Sequence, residues 1–196
     1  MGKKVDRRIQ KTRKTIKKAF VELLNEKSLE EISVYHIAKE ADINRGTFYL
    51  HYQDKFDLFE KYIDELLEEL ISNVKMLKQK MKKNRDYKNC DIYVLFFQHF
   101  LKYPSFYRSI LSFKGGPYFY TRFIEGIKDY YLQEYEQLFK CNEKQNINQE
   151  TFINFVAHAH LGVVNNWLQK GMKETPEDMG AQLSTLVFSL FRGYRD

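Results

Sequence analysis

A chain of 196 residues, 43% hydrophobic and 16% aromatic, can bury a sizeable core, as one small and one larger domain. No apolar run approaches a membrane span, and the basic amino end lacks the apolar stretch of a secretion signal, so a cytoplasmic protein with no membrane partner is expected. The net charge of +6 is uneven: residues 1–18 hold nine Lys and Arg against Asp6 alone, which points either to phosphate contact or to a solvated tail.

The first predicted helix runs from about Arg7 to Asn25, with Ile9, Ile16, Phe20, Leu23 and Leu24 on one stripe and lysines opposite. After a turn at Glu26-Lys27-Ser28, Ser33 is placed to cap a second helix. Its apolar face is Val34, Ile37, Ala38 and Ala41. Asp42 ends that helix, because Asp tolerates the left-handed conformation better than most residues. Asn44 caps a third helix that begins Arg45-Gly46-Thr47. Phe48 falls inward, while Arg45, Thr47, Leu50 and His51 fall outward. Two short helices joined by a tight turn, the second with a polar outer face, read as a helix–turn–helix whose second helix enters a major groove.

Asp54 is placed to cap a fourth helix, with Lys55 in its first turn. A cation there opposes the helix dipole mildly, which suggests another use for Lys55. Apolar spacing continues from Phe59 to Leu77, and the polar stretch Lys78–Asn89 is expected to end the helix. Further helices are predicted over Asp91–Lys102, Ser105–Ser112, Pro117–Lys140, Glu150–Lys170 and Pro176–Tyr194. Pro104, Gly115-Gly116-Pro117, the polar run Cys141–Gln149, Gly171 and Pro176 separate them. No alternating strand pattern occurs, so the fold class is all-α with nine helices. Residues 1–53 form an expected three-helix DNA-binding domain, and 54–196 a larger helical domain.

Catalysis finds little support. There is no phosphate-binding Gly-Lys-Ser/Thr loop and no nucleophile elbow. On a helix, His158 and His160 stand about 200° apart, wrong for one metal. His36 and His99 show no partner by spacing. Cys90 and Cys141 form no metal or redox motif and read as reduced thiols, with a redox-sensing pair as the alternative. No enzyme activity, metal or cofactor is expected.

The stretch Ser33-Val34, Ile37-Ala38, Ala41, Gly46-Thr47-Phe48-Tyr49, His51-Tyr52 and Lys55 resembles the TetR/AcrR family of bacterial transcriptional regulators. The family pattern carries Thr, Gly, Val, Ser and Phe where this chain has Ser33, Asp42, Ile43, Asn44 and Tyr52, each replacement able to do a similar physical job. The resemblance implies a DNA-binding regulator, usually a repressor, that grips a palindromic double-stranded operator as a homodimer, with residues 54–196 as the effector-binding and dimerisation domain. Family members use the tyrosine and lysine at the positions of Tyr49 and Lys55 on phosphates. Tyr49 is otherwise a core aromatic. Arg45 is the expected base reader, since a guanidinium fits guanine N7 and O6. Thr47 and Leu50 can touch thymine methyls, and Ser33, Tyr35, Asn44, Gly46 and His51 complete the expected DNA-facing set. Lys3 to Lys11 can enter a minor groove as an arm.

The last two helices carry wide stripes, Phe152, Phe155, Val156, Ala159, Val163 and Trp167 on one, and Met179, Leu183, Leu186, Val187, Leu190, Phe191 and Tyr194 on the other. In the family these helices form the dimer interface; an intramolecular core is the alternative. Residues 92–139 hold sixteen of the thirty Phe and Tyr residues. They either line an effector pocket, with Phe96, Phe100, Tyr107, Tyr120, Phe123 and Trp167 as candidates, or simply fill a helical core. The segment Tyr103–Leu111 and the Trp167-containing end also resemble the subgroup that includes a regulator of dihydroxyacetone kinase genes. Two gating modes follow: release by a small-molecule effector, or a DNA-tethered module or activator gated by a protein partner.

Overall fold

The structure is a computed structural model and describes residues 7–83, 88, 90–111, 116–139 and 148–192, with the side chains of 116, 134–139 and 190–192 excepted. Among the described residues every element is helical: α1 (Arg7–Glu26), α2 (Val34–Glu40), α3 (Arg45–Tyr49), α4 (Lys55–Lys83), α5 (Cys90–Lys102), α6 (Pro104–Leu111), α7 (Gly116–Phe139), α8 (Gln149–Gln169) and α9 (Pro176–Arg192). Lys3, Lys4, Phe113, Gly115, Cys141 and Tyr194, and the side chains of Tyr135, Phe139, Leu190 and Phe191, lie outside what is described.

Several boundaries shift by a residue or so from the sequence reading, and two departures have a physical reason. Helix α4 continues through Lys83 instead of ending near Leu77. Lys, Gln and Met are strong helix formers, so a stretch needs no apolar face to stay helical. Pro104 opens α6 instead of merely breaking the chain before it. At a first helical position its missing N–H costs nothing and its fixed φ suits the helix.

Contacts divide the chain into two compact units, Met1–Glu65 with Ser105–Phe119, and Leu66–Pro104 with Tyr120–Asp196. The first is centred on Ile16, Phe20, Ile37, Phe48 and Leu58, with Phe106, Tyr107 and Phe119 also buried in it. The second buries Phe96, Phe97, Phe100, Phe123, Tyr131, Val164 and Trp167. There α5 and α9 pack so closely that a Cβ on Gly180 would sit 2.7 Å from the Val94 amide nitrogen. Only a glycine admits that approach.

Candidate nucleic-acid interface and interior cavity

The helix–turn–helix is held by local bonds readable one by one. The Ser33 hydroxyl accepts the His36 amide at 3.2 Å, and Nδ1 of His36 accepts the Ser33 amide at 3.2 Å. This is a capping box with histidine in the usual Glu or Gln place. The Ser33–His36 spacing was the available signal for a partner that the sequence reading did not assign to His36. At the other end of α2, Asp42 takes φ 50°. Its amide donates to the Lys39 carbonyl, and the Ile43 amide to that of Ala38. That pair of bonds is a Schellman stop with Asp in the usual glycine position. The Asn44 side chain then accepts the Thr47 amide at 2.8 Å and the Thr47 hydroxyl at 3.0 Å. A Cβ on Gly46 would come within 3.3 Å of the Asn44 Oδ1, so glycine leaves this cap its space.

These caps aim α3. Phe48 is fully buried beneath it, as its spacing predicts. Tyr35 and Tyr49 are half-exposed and Leu50 is 82% exposed, so Tyr49 is a surface hydroxyl and not a core aromatic. Ser33, Asn44, Arg45 and Gly46 are exposed, Thr47 and His51 partly so. The Arg45 guanidinium donates to the Tyr49 hydroxyl at 3.4 Å across one helical turn. The Tyr49 hydrogen is thereby directed away from Arg45. Basic side chains of α1 adjoin this surface: burial and the Arg13 charge both lower the His51 pKa.

Lys55 is placed otherwise than a phosphate contact needs. Its ammonium donates to the carbonyls of Leu29 and Glu30 at 2.8 Å and of Ile32 at 2.7 Å. An ammonium has three hydrogens, and all three are used. Lys55 thus ties the start of α4 to the turn before α2. Tyr52, just ahead, has its hydroxyl buried with no hydrogen-bond partner among the described residues. Burial pushes its pKa up to about 12.

The second unit contains a cavity of about 240 Å³. Phe96 and Phe123 line it, as expected, and Phe100, Tyr107, Tyr120 and Trp167 do not. Phe100 packs behind Phe96 and Phe123. Tyr107 lies in the first unit against Phe119. Tyr120 is on the surface near His158. Trp167 donates its indole N–H to the Glu174 carbonyl at 3.0 Å and meets Phe97 edge-on. The cavity instead uses Tyr93, Tyr131 and His160, which the sequence reading passed over. His158 is exposed while His160 is buried, so the two imidazoles do diverge.

Residues 16–62 match the family model described as bacterial regulatory proteins, tetR family, and residues 90–189 match a transcriptional regulator C-terminal region of the TetR type. An uncharacterised helix–turn–helix-type transcriptional regulator of Bacillus subtilis is 36% identical over 73 residues, 37% of this chain and 19% of that protein. The match thus spans about a fifth of that relative. A TetR regulator of Streptococcus agalactiae has a crystal structure similar over 93% of this chain and 96% of its own, at TM-score 0.65 and 28% identity. A TetR-family regulator of Syntrophomonas wolfei superposes over 94% of this chain and 97% of its own, at TM-score 0.74 and 18% identity. The dihydroxyacetone kinase operon activator DhaS, from the subgroup that the Tyr103–Leu111 segment resembles, shares the fold at TM-score 0.67 and 21% identity, over 92% and 96%.

Proposed function

The chain belongs to the TetR family of bacterial transcriptional regulators, and from that premise we propose that it represses transcription by binding a palindromic operator as a cytoplasmic homodimer. The observation that carries this reading is α3: a capped helix with a buried Phe48 and an exposed Arg45–Tyr49 pair. On DNA, Arg45 reads a guanine edge, Tyr49 donates to a phosphate, and Thr47 and Leu50 meet thymine methyls. The exposed basic residues of α1, among them Lys11, Arg13 and Lys14, supply phosphate neutralisation.

Phe155 of α8 and Leu186 of α9 are each 59% exposed, on helices whose other faces are buried in the second unit. They suit a two-fold interface, which would set two reading helices about 34–36 Å apart, one turn of DNA. The cavity supports release by a small molecule rather than by a protein partner, since α4 contributes Leu67, Leu70 and Lys78 to its wall. That helix begins at Lys55, directly after the DNA-reading head formed by α1, α2 and α3.

Selection on random duplexes followed by fluorescence anisotropy tests the reading. Arg45→Ala should lose about 1–3 kcal/mol on the selected site and discriminate less at one base pair of each half-site. Equal binding of the selected and a scrambled duplex by the unaltered protein would overturn it.

A further inference from the structure

Three buried polar residues, Tyr93, Tyr131 and His160, line the cavity of the second unit. They form one chain: the Tyr93 and Tyr131 hydroxyls lie 3.0 Å apart, Tyr131 lies 3.3 Å from Nε2 of His160, and Nδ1 of His160 lies 2.7 Å from the Val156 carbonyl. The proton positions follow from the carbonyl terminus. A carbonyl only accepts, so Nδ1 carries the hydrogen of His160. Burial keeps that imidazole neutral, with its pKa pushed down to about 4. Burial also pushes the Tyr93 pKa up to about 12 and that of Tyr131 well above the ordinary 10, so both phenols keep their hydrogens. Nε2 then accepts from Tyr131, and the Tyr131 oxygen accepts from Tyr93. Every hydrogen of the chain is used within it. What remains is acceptor capacity on the Tyr93 oxygen, which donates to its neighbour without accepting in return.

The rest of the wall narrows the kind of ligand that fits. Leu67, Leu70, Val74, Phe96 and Ile127 are apolar. The Lys78 ammonium lies 4.6 Å from the centre of the Tyr130 ring, and Arg122 pairs with Glu125 at 3.4 Å, so both cations are engaged by the protein itself. With the exposed Lys75 they set three positive charges against Asp129 among the lining residues, which disfavours a cationic ligand. An anion is disfavoured at the buried end, where it would lose its water and meet lone pairs with no hydrogen offered in return. A neutral ligand meets neither penalty. At about 240 Å³ the space falls below the ~300–1,000 Å³ usual for small-molecule sites, so it suits a compact body and not a long acyl chain.

Taking this cavity as the effector site, as the repressor reading does, we propose that its ligand is a compact neutral phenol with an apolar body, whose hydroxyl donates to the Tyr93 oxygen. The ligand then completes the chain, each hydroxyl donating to the next group inward until the Val156 carbonyl is reached. A hydroxyl that already donates is the better acceptor, so the directed chain strengthens the bond at its open end.

Calorimetric titration of the full chain with 4-ethylphenol, 4-ethylanisole, 4-ethylbenzoate and 4-ethylbenzylamine tests this. The four probes share an apolar body and differ in the group offered to Tyr93: a donor, an ether that only accepts, an anion and a cation. The phenol should bind about fivefold or more tighter than each of the others, the scale of one neutral hydrogen bond. Tyr93→Phe should erase the advantage of the phenol over the ether and leave the ether as it was, whereas a merely structural role for Tyr93 would weaken both alike. Gly126→Leu should block every probe: Gly126 lines the cavity from α7, and a Cβ there meets Ile71 Cδ1 at 3.7 Å. An ether, acid or amine that binds the unaltered protein as well as the phenol, an unchanged phenol-to-ether ratio in Tyr93→Phe, or no binding by any probe would overturn the proposal. Anisotropy on the operator separates it from the repressor reading. A phenol that binds with this selectivity yet leaves DNA bound preserves the ligand class and refutes the effector role. Release of DNA by the acid and not by the phenol does the reverse.

Discussion

The head and the second unit handle buried hydroxyls in opposite ways. The head leaves one, on Tyr52, without a partner, and keeps its working groups on the surface. The second unit buries two phenols and an imidazole and satisfies them in a single directed chain. A surface that reads DNA needs only donors aimed outward from a firm base, so its polar groups need little help from one another. An interior that admits a ligand must hold polarity in a low dielectric, where each unpaired group costs about 1–3 kcal/mol.

The largest test of that contrast lies in the interior. His160→Leu removes the acceptor of Tyr131 and leaves that buried hydroxyl without one, while the Val156 carbonyl keeps its helical bond to the amide of residue 160. A loss of about 3 kcal/mol is expected in urea unfolding. Stability should also depend on pH in a defined direction. Burial holds His99 and His160 at about 4, below the ordinary 6.5. For His99 the nearby Glu69 opposes that shift and Lys102 reinforces it. Because the folded pKa values are depressed, the unfolded chain binds more protons between pH 6.5 and 4. The contribution of the two histidines should be fully present above 6.5, fall through that window and be lost below it. The His160→Leu variant should lose its share of this slope. An unchanged slope would mean that His160 is already charged in the folded protein.

A second test decides what Lys55 does. If its three carbonyl bonds are its work, Lys55→Met should cost about 2 kcal/mol of stability, less than three full bonds because water can reach the Glu30 carbonyl. The salt dependence of operator binding should then stay as it was. A phosphate contact predicts the reverse, with stability kept and the salt slope reduced by about one. Measuring both quantities on one variant separates the roles.

These two tests fall on features that the sequence reveals unequally. Caps are local, so Ser33, Asn44 and the left-handed Asp42 could be read from spacing of a few residues. The helices follow from apolar periodicity in the same way. Lys55 could not be read so, because its three acceptors lie 23 to 26 residues earlier and converge only in the folded turn. The cavity was hidden for a related reason. Sixteen aromatics in one region look alike in sequence, yet Phe96 borders open space while Phe100 and Tyr107 close solid core. Tyr93 and His160 are 67 positions apart, and only packing joins them through Tyr131.

The smallest effect returns to the head and to Tyr52, where the TetR pattern carries Phe. Its ring is buried at 3% exposure beside Phe48, and the Lys61 ammonium stands 5.8 Å from the ring centre. A phenylalanine keeps the packing and the cation–π contact and drops only the unpaired hydroxyl. Tyr52→Phe should therefore stabilise the protein by about 1 kcal/mol, the lower end of the cost of such a group. For a chain of this length that amounts to a rise of about 2–4 °C in Tm, with operator affinity unchanged. A fall in Tm would mean that the hydroxyl is bonded after all, as those of Tyr93 and Tyr131 are. The same substitution in the chain, Tyr131→Phe, should lower Tm, because there the hydroxyl both donates to His160 and accepts from Tyr93. One atom removed from each unit should thus shift stability in opposite directions.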